Sequence, residues 1–158
     1  MSKGRLLWTD DDPPGRFEYE AFILEDEGWE IRWAPDVTAA AIALSKDSFD
    51  AMILDQMLPY EALRKGDPLW GGCLLLRWLR GKAPPPNVSL DPTGPLTRLT
   101  PGADNRDIPV VVVSAFHDPK VEAAMRDASE LDRGLVMVPK PIDINALASL
   151  LRRAGGSA

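Results

Sequence analysis

Short apolar runs ending in a polar residue alternate along this chain with segments whose apolar residues recur every three or four positions. That is the pattern of parallel strands joined by crossover helices. Arg5–Thr9 predicts the first strand and Pro14–Glu27 its helix, where Phe17, Ala21 and Leu24 share a face before Gly28 ends it. Trp29–Trp33 predicts the second strand, after which Asp36 is placed to cap a helix reaching about Ser45. Ala51–Leu54 predicts a third strand that delivers Asp55, and Cys73–Arg80 the helix that follows. "IPVVVVS", ending at Ser114, predicts the fourth strand, with a helix over Pro119–Leu131. Leu135–Val138 predicts the fifth, and the last helix runs from about Ile144 to Arg153, its closing arginines suited to the negative end of the helix dipole.

Between Gly81 and Asp107 this pattern breaks: the stretch carries six prolines and neither a helical nor an alternating period. The strand–helix series resumes directly afterwards. The expectation is therefore one domain over residues 1–158, interrupted at about 81–107 by a loop without regular structure, and no output domain. In "CLLLRWLR", Cys73, Leu75, Leu76 and Leu79 supply a sheet-facing stripe, which leaves Leu74 and Trp78 on another side. Two covers are open to them: the insertion folding back, or the second subunit of a homodimer.

Composition narrows the function. A length of 158 residues at 45% hydrophobic content suits a single core. The net charge of -6 and pI near 4.8 argue against direct binding to nucleic acid or anionic membrane, which needs a basic surface. No segment approaches the roughly 18 uninterrupted apolar residues of a membrane span, and the N-terminus lacks a signal-peptide stretch, so a cytoplasmic protein is expected. Cys73 and His117 are each the sole residue of their kind, which leaves no internal disulfide and no usual zinc site. A metal held here would take oxygen ligands, as a hard cation such as magnesium does.

In a doubly wound sheet the C-terminal strand ends lie along one edge, and the loops leaving them form the site. Here the first strand ends in "TDDD", the third in Asp55, the fourth in Ser114 and the fifth in "VPKP" with Lys140. Alone, three aspartates are a solvated turn or a helix cap, and a lysine after a strand is a surface lysine. Together they point to one pocket, where crowded carboxylates must hold either protons or a cation.

"LLWTDDDP", "MILDQMLP", "VVVSA" and "VPKPID" stand in the order of the motifs of the response-regulator receiver domain, CheY-like, of two-component signalling, and the chain resembles that family along nearly its whole length outside the insertion. The resemblance implies an α/β, flavodoxin-like fold: a doubly wound five-stranded parallel sheet of order 2-1-3-4-5 with helices on both faces. It implies Asp55 as phosphoacceptor and Mg2+ as cofactor, held by Asp10, Asp11, Asp55 and the backbone carbonyl of Met57, with Asp11 binding directly and Asp10 through water. Ser114 would donate a hydroxyl hydrogen bond to the phosphoryl group, Lys140 would pair with its oxygens, and the Lys140–Pro141 bond would be cis. The partners implied are a histidine kinase or histidine phosphotransfer protein upstream and a target protein downstream. The chain would catalyse only its own phosphorylation and dephosphorylation. Met137 stands where the family usually has an aromatic residue, and the bulky Met57 and Phe116 imply slow phosphoryl loss. Two other readings compete. One is a degenerate receiver serving as a phosphorylation-independent interaction module. The other is a magnesium-dependent phosphohydrolase, against which Met57 counts, since such enzymes place a second acid two residues after the nucleophile.

Overall fold

The computed structural model describes residues 4–61, 63–65, 71–84, 88–114, 119 and 136–155. All but the first residue of the helix expected over 119–131 lies outside them, as do Phe116 and His117. Seven strands are described: β1 Gly4–Thr9, β2 Trp29–Ala34, β3 Ala51–Asp55, β4 Leu63–Lys65, β5 Ser89–Leu90, β6 Val110–Ser114 and β7 Val136–Pro139. The described helices are α1 Glu18–Asp26, α2 Val37–Lys46, α3 Gly71–Leu79, the short α4 Pro95–Arg98 and α5 Ile144–Gly155.

Five strands form an all-parallel sheet of order β2-β1-β3-β6-β7. Counting only the strands of that sheet, this is the expected 2-1-3-4-5. The period-two geometry of a strand sends successive side chains to opposite faces, and here both faces are apolar. Leu7, Met52, Leu54, Val110 and Val112 meet α2 and α3, whereas Leu6, Trp8, Ile53, Val111 and Val113 meet α1 and α5. Central β3 is therefore buried at every residue, as a strand covered on both sides must be. On edge strand β2, Trp29 and Ala34 are buried while Glu30 and Arg32 face solvent.

Local signals set the element ends. Asp36 caps α2 by accepting from the Ala39 amide at 2.7 Å. Asp143 does the same for α5 from the amides of Asn145 and Ala146. Gly28 ends the first helix with φ at 104°, a left-handed conformation that side chains other than glycine resist. That helix opens later than its pattern predicts, because Pro14–Phe17 forms a 3-10 turn before α1 begins at Glu18.

The stretch expected to be a structureless loop carries ordered elements. β5 pairs antiparallel with β4, which itself lies in the connection leaving β3. Asp91 organises the turn that follows, accepting from the amide and hydroxyl of Thr93 at 2.9 and 2.7 Å. α4 begins on Pro95, and a second 3-10 turn spans Ala103–Asn105. Each element is two to four residues long, too short to produce a period, and tertiary contacts hold it instead. The Trp78 indole donates to the Leu99 carbonyl at 2.9 Å, and the Arg80 guanidinium donates to the carbonyls of Arg106 and Ile108 at 2.6 Å each. Leu74 is buried and Trp78 half-buried against a core that includes Val88 and Leu96, so the segment covers both.

Candidate functional site

The C-terminal edge of the sheet gathers the acids. Asp10 follows the last residue of β1, its amide bonded to the Ala34 carbonyl at 3.1 Å at the end of neighbouring β2. Its carboxylate accepts from the Asp12 amide at 2.9 Å on one oxygen and from Lys140 Nζ at 2.9 Å on the other. Asp12 is a neighbour of the pocket, giving its amide to Asp10 and its charge to the surroundings of Lys140, while Pro13 occupies the N-cap position of the turn that follows.

Asp55 is the last residue of β3. One carboxylate oxygen accepts from the Met57 amide at 3.0 Å, and the other lies 3.7 Å from Lys140 Nζ. The residue is 3% exposed and Asp10 4%, while Asp11 is exposed. One carboxylate oxygen from each of Asp10, Asp11 and Asp55 lies within 4.8 Å of the others. Lys140, in the loop after β7, is half-buried and bridges the two buried acids; the Lys140–Pro141 bond is cis.

The electrostatics follow. Burial pushes the Asp55 carboxyl up from 3.8 to about 6, and the charges of Asp10 and Asp11 add to the rise. Lys140 and the Met57 amide oppose it. For Lys140, burial is the largest influence and lowers its pKa, but the hydrogen bond to Asp10 and the charges of Asp55, Asp10 and Asp12 together outweigh it, and the net direction is upward. The lysine stays charged while Asp55 sits near the boundary between neutral and ionised. Such a carboxylate gains from any added positive charge. Three convergent carboxylates with a backbone loop beside them are also a donor set of the kind hard divalent cations take, so the residues fit the magnesium implied by the sequence.

Ser114 closes β6 in register with Pro139, which places its backbone beside that of Lys140's predecessor. The side chains of Ser114 and Met137 lie outside the described set. Met57 is half-buried in the loop after Asp55.

Sequence reasoning passed over two supports of this loop. The first is Gly71–Gly72, opening α3. A Cβ on Gly71 would collide with the Leu58 carbonyl, and one on Gly72 would lie 2.6 Å from the Asp55 carbonyl and 2.8 Å from that of Gln56. The Gly72 amide donates to Gln56 at 3.2 Å, so the helix approaches the loop closely enough that only glycine fits. The pair "GG" in the sequence was the available signal. The second is Thr9, whose hydroxyl touches the backbone of both Ile53 and Asp55. Nothing in the strand pattern distinguishes it.

No family model and no curated protein matches the sequence closely. Solved structures do match. The chain is similar to the signal receiver domain of a signal transduction histidine kinase from Syntrophus aciditrophicus, at 24% identity and TM-score 0.68 over 98% of this chain and 92% of that one. It is similar to the receiver domain of a Francisella response regulator at 19% identity and TM-score 0.64 over 97% of each chain. A CheY-like receiver domain protein from Methanospirillum hungatei matches at 17% identity and TM-score 0.64 over 96% of this chain and 93% of that one. With the same strand order and an acidic cluster at the end of the sheet where the strands finish, this chain has the fold of the CheY-like receiver domains.

Proposed function

We propose that residues 1–158 form a response-regulator receiver domain that takes a phosphoryl group onto Asp55 and signals by binding a target protein in its phosphorylated form. The donor is a phosphohistidine of a histidine kinase or of a histidine phosphotransfer protein, and the setting is cytoplasmic. One observation carries the reading: Asp55, buried at the end of β3, lies within reach of both Lys140 and the oxygens of Asp10 and Asp11.

A carboxylate oxygen of Asp55 attacks phosphorus and forms a new P–O bond. The P–N bond to the donor imidazole breaks, its electron pair stays on nitrogen, and the imidazole takes up a proton. The chain's own residues favour this step by position and charge. Met57's amide fixes the Asp55 carboxylate, and the Lys140 ammonium lies where it balances negative charge on the phosphoryl oxygens. Ser114, at the end of β6, would donate its hydroxyl to the acyl phosphate. Asp10, Asp11, Asp55 and the Met57 carbonyl would hold Mg2+, which supplies positive charge against the crowded carboxylates and the transferring group. Among the described residues no helix is long and apolar enough to cross a membrane.

Incubation with acetyl phosphate and Mg2+ followed by intact-protein mass measurement tests the reading. The expected result is one phosphoryl per chain, absent in Asp55→Asn and in chelator. A chain that takes up none is the degenerate interaction module instead; continuous release of phosphate from an external ester is the phosphohydrolase.

A further inference from the structure

Thr9 is the last residue of β1 and fully buried. A buried hydroxyl without partners is costly, and a strand end inside an apolar core is otherwise a position for valine. This hydroxyl has two partners. It donates to the Ile53 carbonyl at 3.0 Å and accepts from the Asp55 amide at 3.2 Å, using both sides of its bonding capacity. Those backbone groups flank Leu54, the residue in register with Thr9.

The position has a mechanical consequence. Asp10 follows Thr9 directly, and Asp55 is one of the two residues the hydroxyl grips, so a single side chain ties together the backbones that carry the two buried acids. Both carboxylates are buried, and their like charges repel each other across the pocket that Lys140 bridges. On the other side, the Gln56 amide bonds to the Val113 carbonyl at 3.1 Å and the Leu58 amide to the Asp55 carbonyl at 3.2 Å, so the chain turns away from the sheet immediately after Asp55. Thr9 holds the residue on the side facing β1.

We propose that Thr9 is a positioning residue for the acidic pocket: through its hydroxyl bridge from β1 to Ile53 and Asp55 it sets the spacing of the Asp10 and Asp55 carboxylates, and with it the pocket's affinity for a divalent cation and the reactivity of Asp55. The cation and reaction parts rest on the phosphoacceptor reading; the bridge itself does not.

The test compares the full chain with Thr9→Val, which keeps the shape and removes the hydroxyl, and with Thr9→Ser, which keeps the hydroxyl and removes a methyl. Three quantities are read: Mg2+ affinity by titration calorimetry, hydrogen exchange at the Asp55 amide, and the rate of labelling by acetyl phosphate. Thr9→Val is expected to weaken Mg2+ binding and slow labelling about tenfold each, the size expected from losing buried hydrogen bonds, and to speed exchange at the Asp55 amide. Thr9→Ser is expected to stay within about threefold of the parent. A merely structural Thr9 would lower the melting temperature and leave Mg2+ affinity and labelling of the folded protein unmoved, and that result overturns the proposal. So does Thr9→Ser failing as badly as Thr9→Val. Should Thr9→Val fold poorly, the parent still decides: an Asp55 amide that exchanges as fast as an unprotected loop amide sinks the bridge. A parent that binds Mg2+ but takes no phosphoryl overturns the phosphoacceptor reading alone, while affinity and exchange continue to decide Thr9.

Discussion

Among the described residues, polar side chains are buried at two separated places and treated in opposite ways. Asn105, 1% exposed in the insertion, is fully answered: its amide nitrogen donates to the carbonyls of Leu44 and Asp47 at 2.8 and 2.7 Å, and its oxygen accepts from the Phe49 amide at 2.9 Å. One neutral side chain thus closes the end of α2 and the lead-in to β3. Asp55, at the far end of that same strand, is buried beside other acids, with its carboxyl lifted to about 6. The first arrangement lowers the energy of the fold by satisfying buried groups. The second holds a carboxylate in surroundings that disfavour its charge, so that a cation or a phosphoryl group finds a use there. Burial alone does not mark a site; burial of several acids whose charge one lysine only partly offsets does.

Asn105→Ala should break the first region most severely. It leaves the Phe49 amide and two carbonyls without their partner, and unfolding free energy should fall by about 3 kcal/mol, measured by urea denaturation, while labelling of the folded protein by acetyl phosphate stays at the parent rate. Lys140→Ala should do the reverse. Removing the ammonium that faces Asp55 should slow labelling about a hundredfold in a mass time course, with a smaller effect on melting. It also removes the charge that holds Asp55 down, so the carboxyl should titrate higher still than about 6. The pH dependence of stability sharpens the contrast with the smallest effect. Because the folded pKa of Asp55 lies above its unfolded value of 3.8, the folded state binds this proton more tightly. The stabilisation is complete below 3.8 and is lost as pH rises through about 6. In chelator, Asp55→Asn should therefore gain stability on the parent as pH rises across that window, and added Mg2+ should close the gap. Asn105→Ala should show an offset that does not change with pH, since no proton is involved.

Much of this was legible beforehand, for reasons particular residues make plain. "AMILD" shows a strand buried on both faces and ending on a charge, because both helix layers demand apolar contacts and only the strand end escapes them. The Asp36 cap is local and reads from three residues. The insertion was misread because β5 and α4 have too few residues for a period, and their partners lie elsewhere in the chain: Ser89 and Leu90 pair with β4, and Leu96 offers its amide to Tyr60 at 3.4 Å. Asn105 resembled any loop asparagine, since its partners are 56 to 61 residues away.

Alternating blocks of apolar residues determined the layers, the parallel sheet and the strand ends on which Asp10, Asp55 and Lys140 stand, because burial of apolar faces is a periodic requirement that a chain can express locally. Only the tertiary structure decided that Lys140 reaches both acids, that Thr9 bridges two strands, and that the proline-rich stretch seals α2 and α3. Those are contacts between distant residues, and their energies depend on distance and desolvation, which no local pattern encodes.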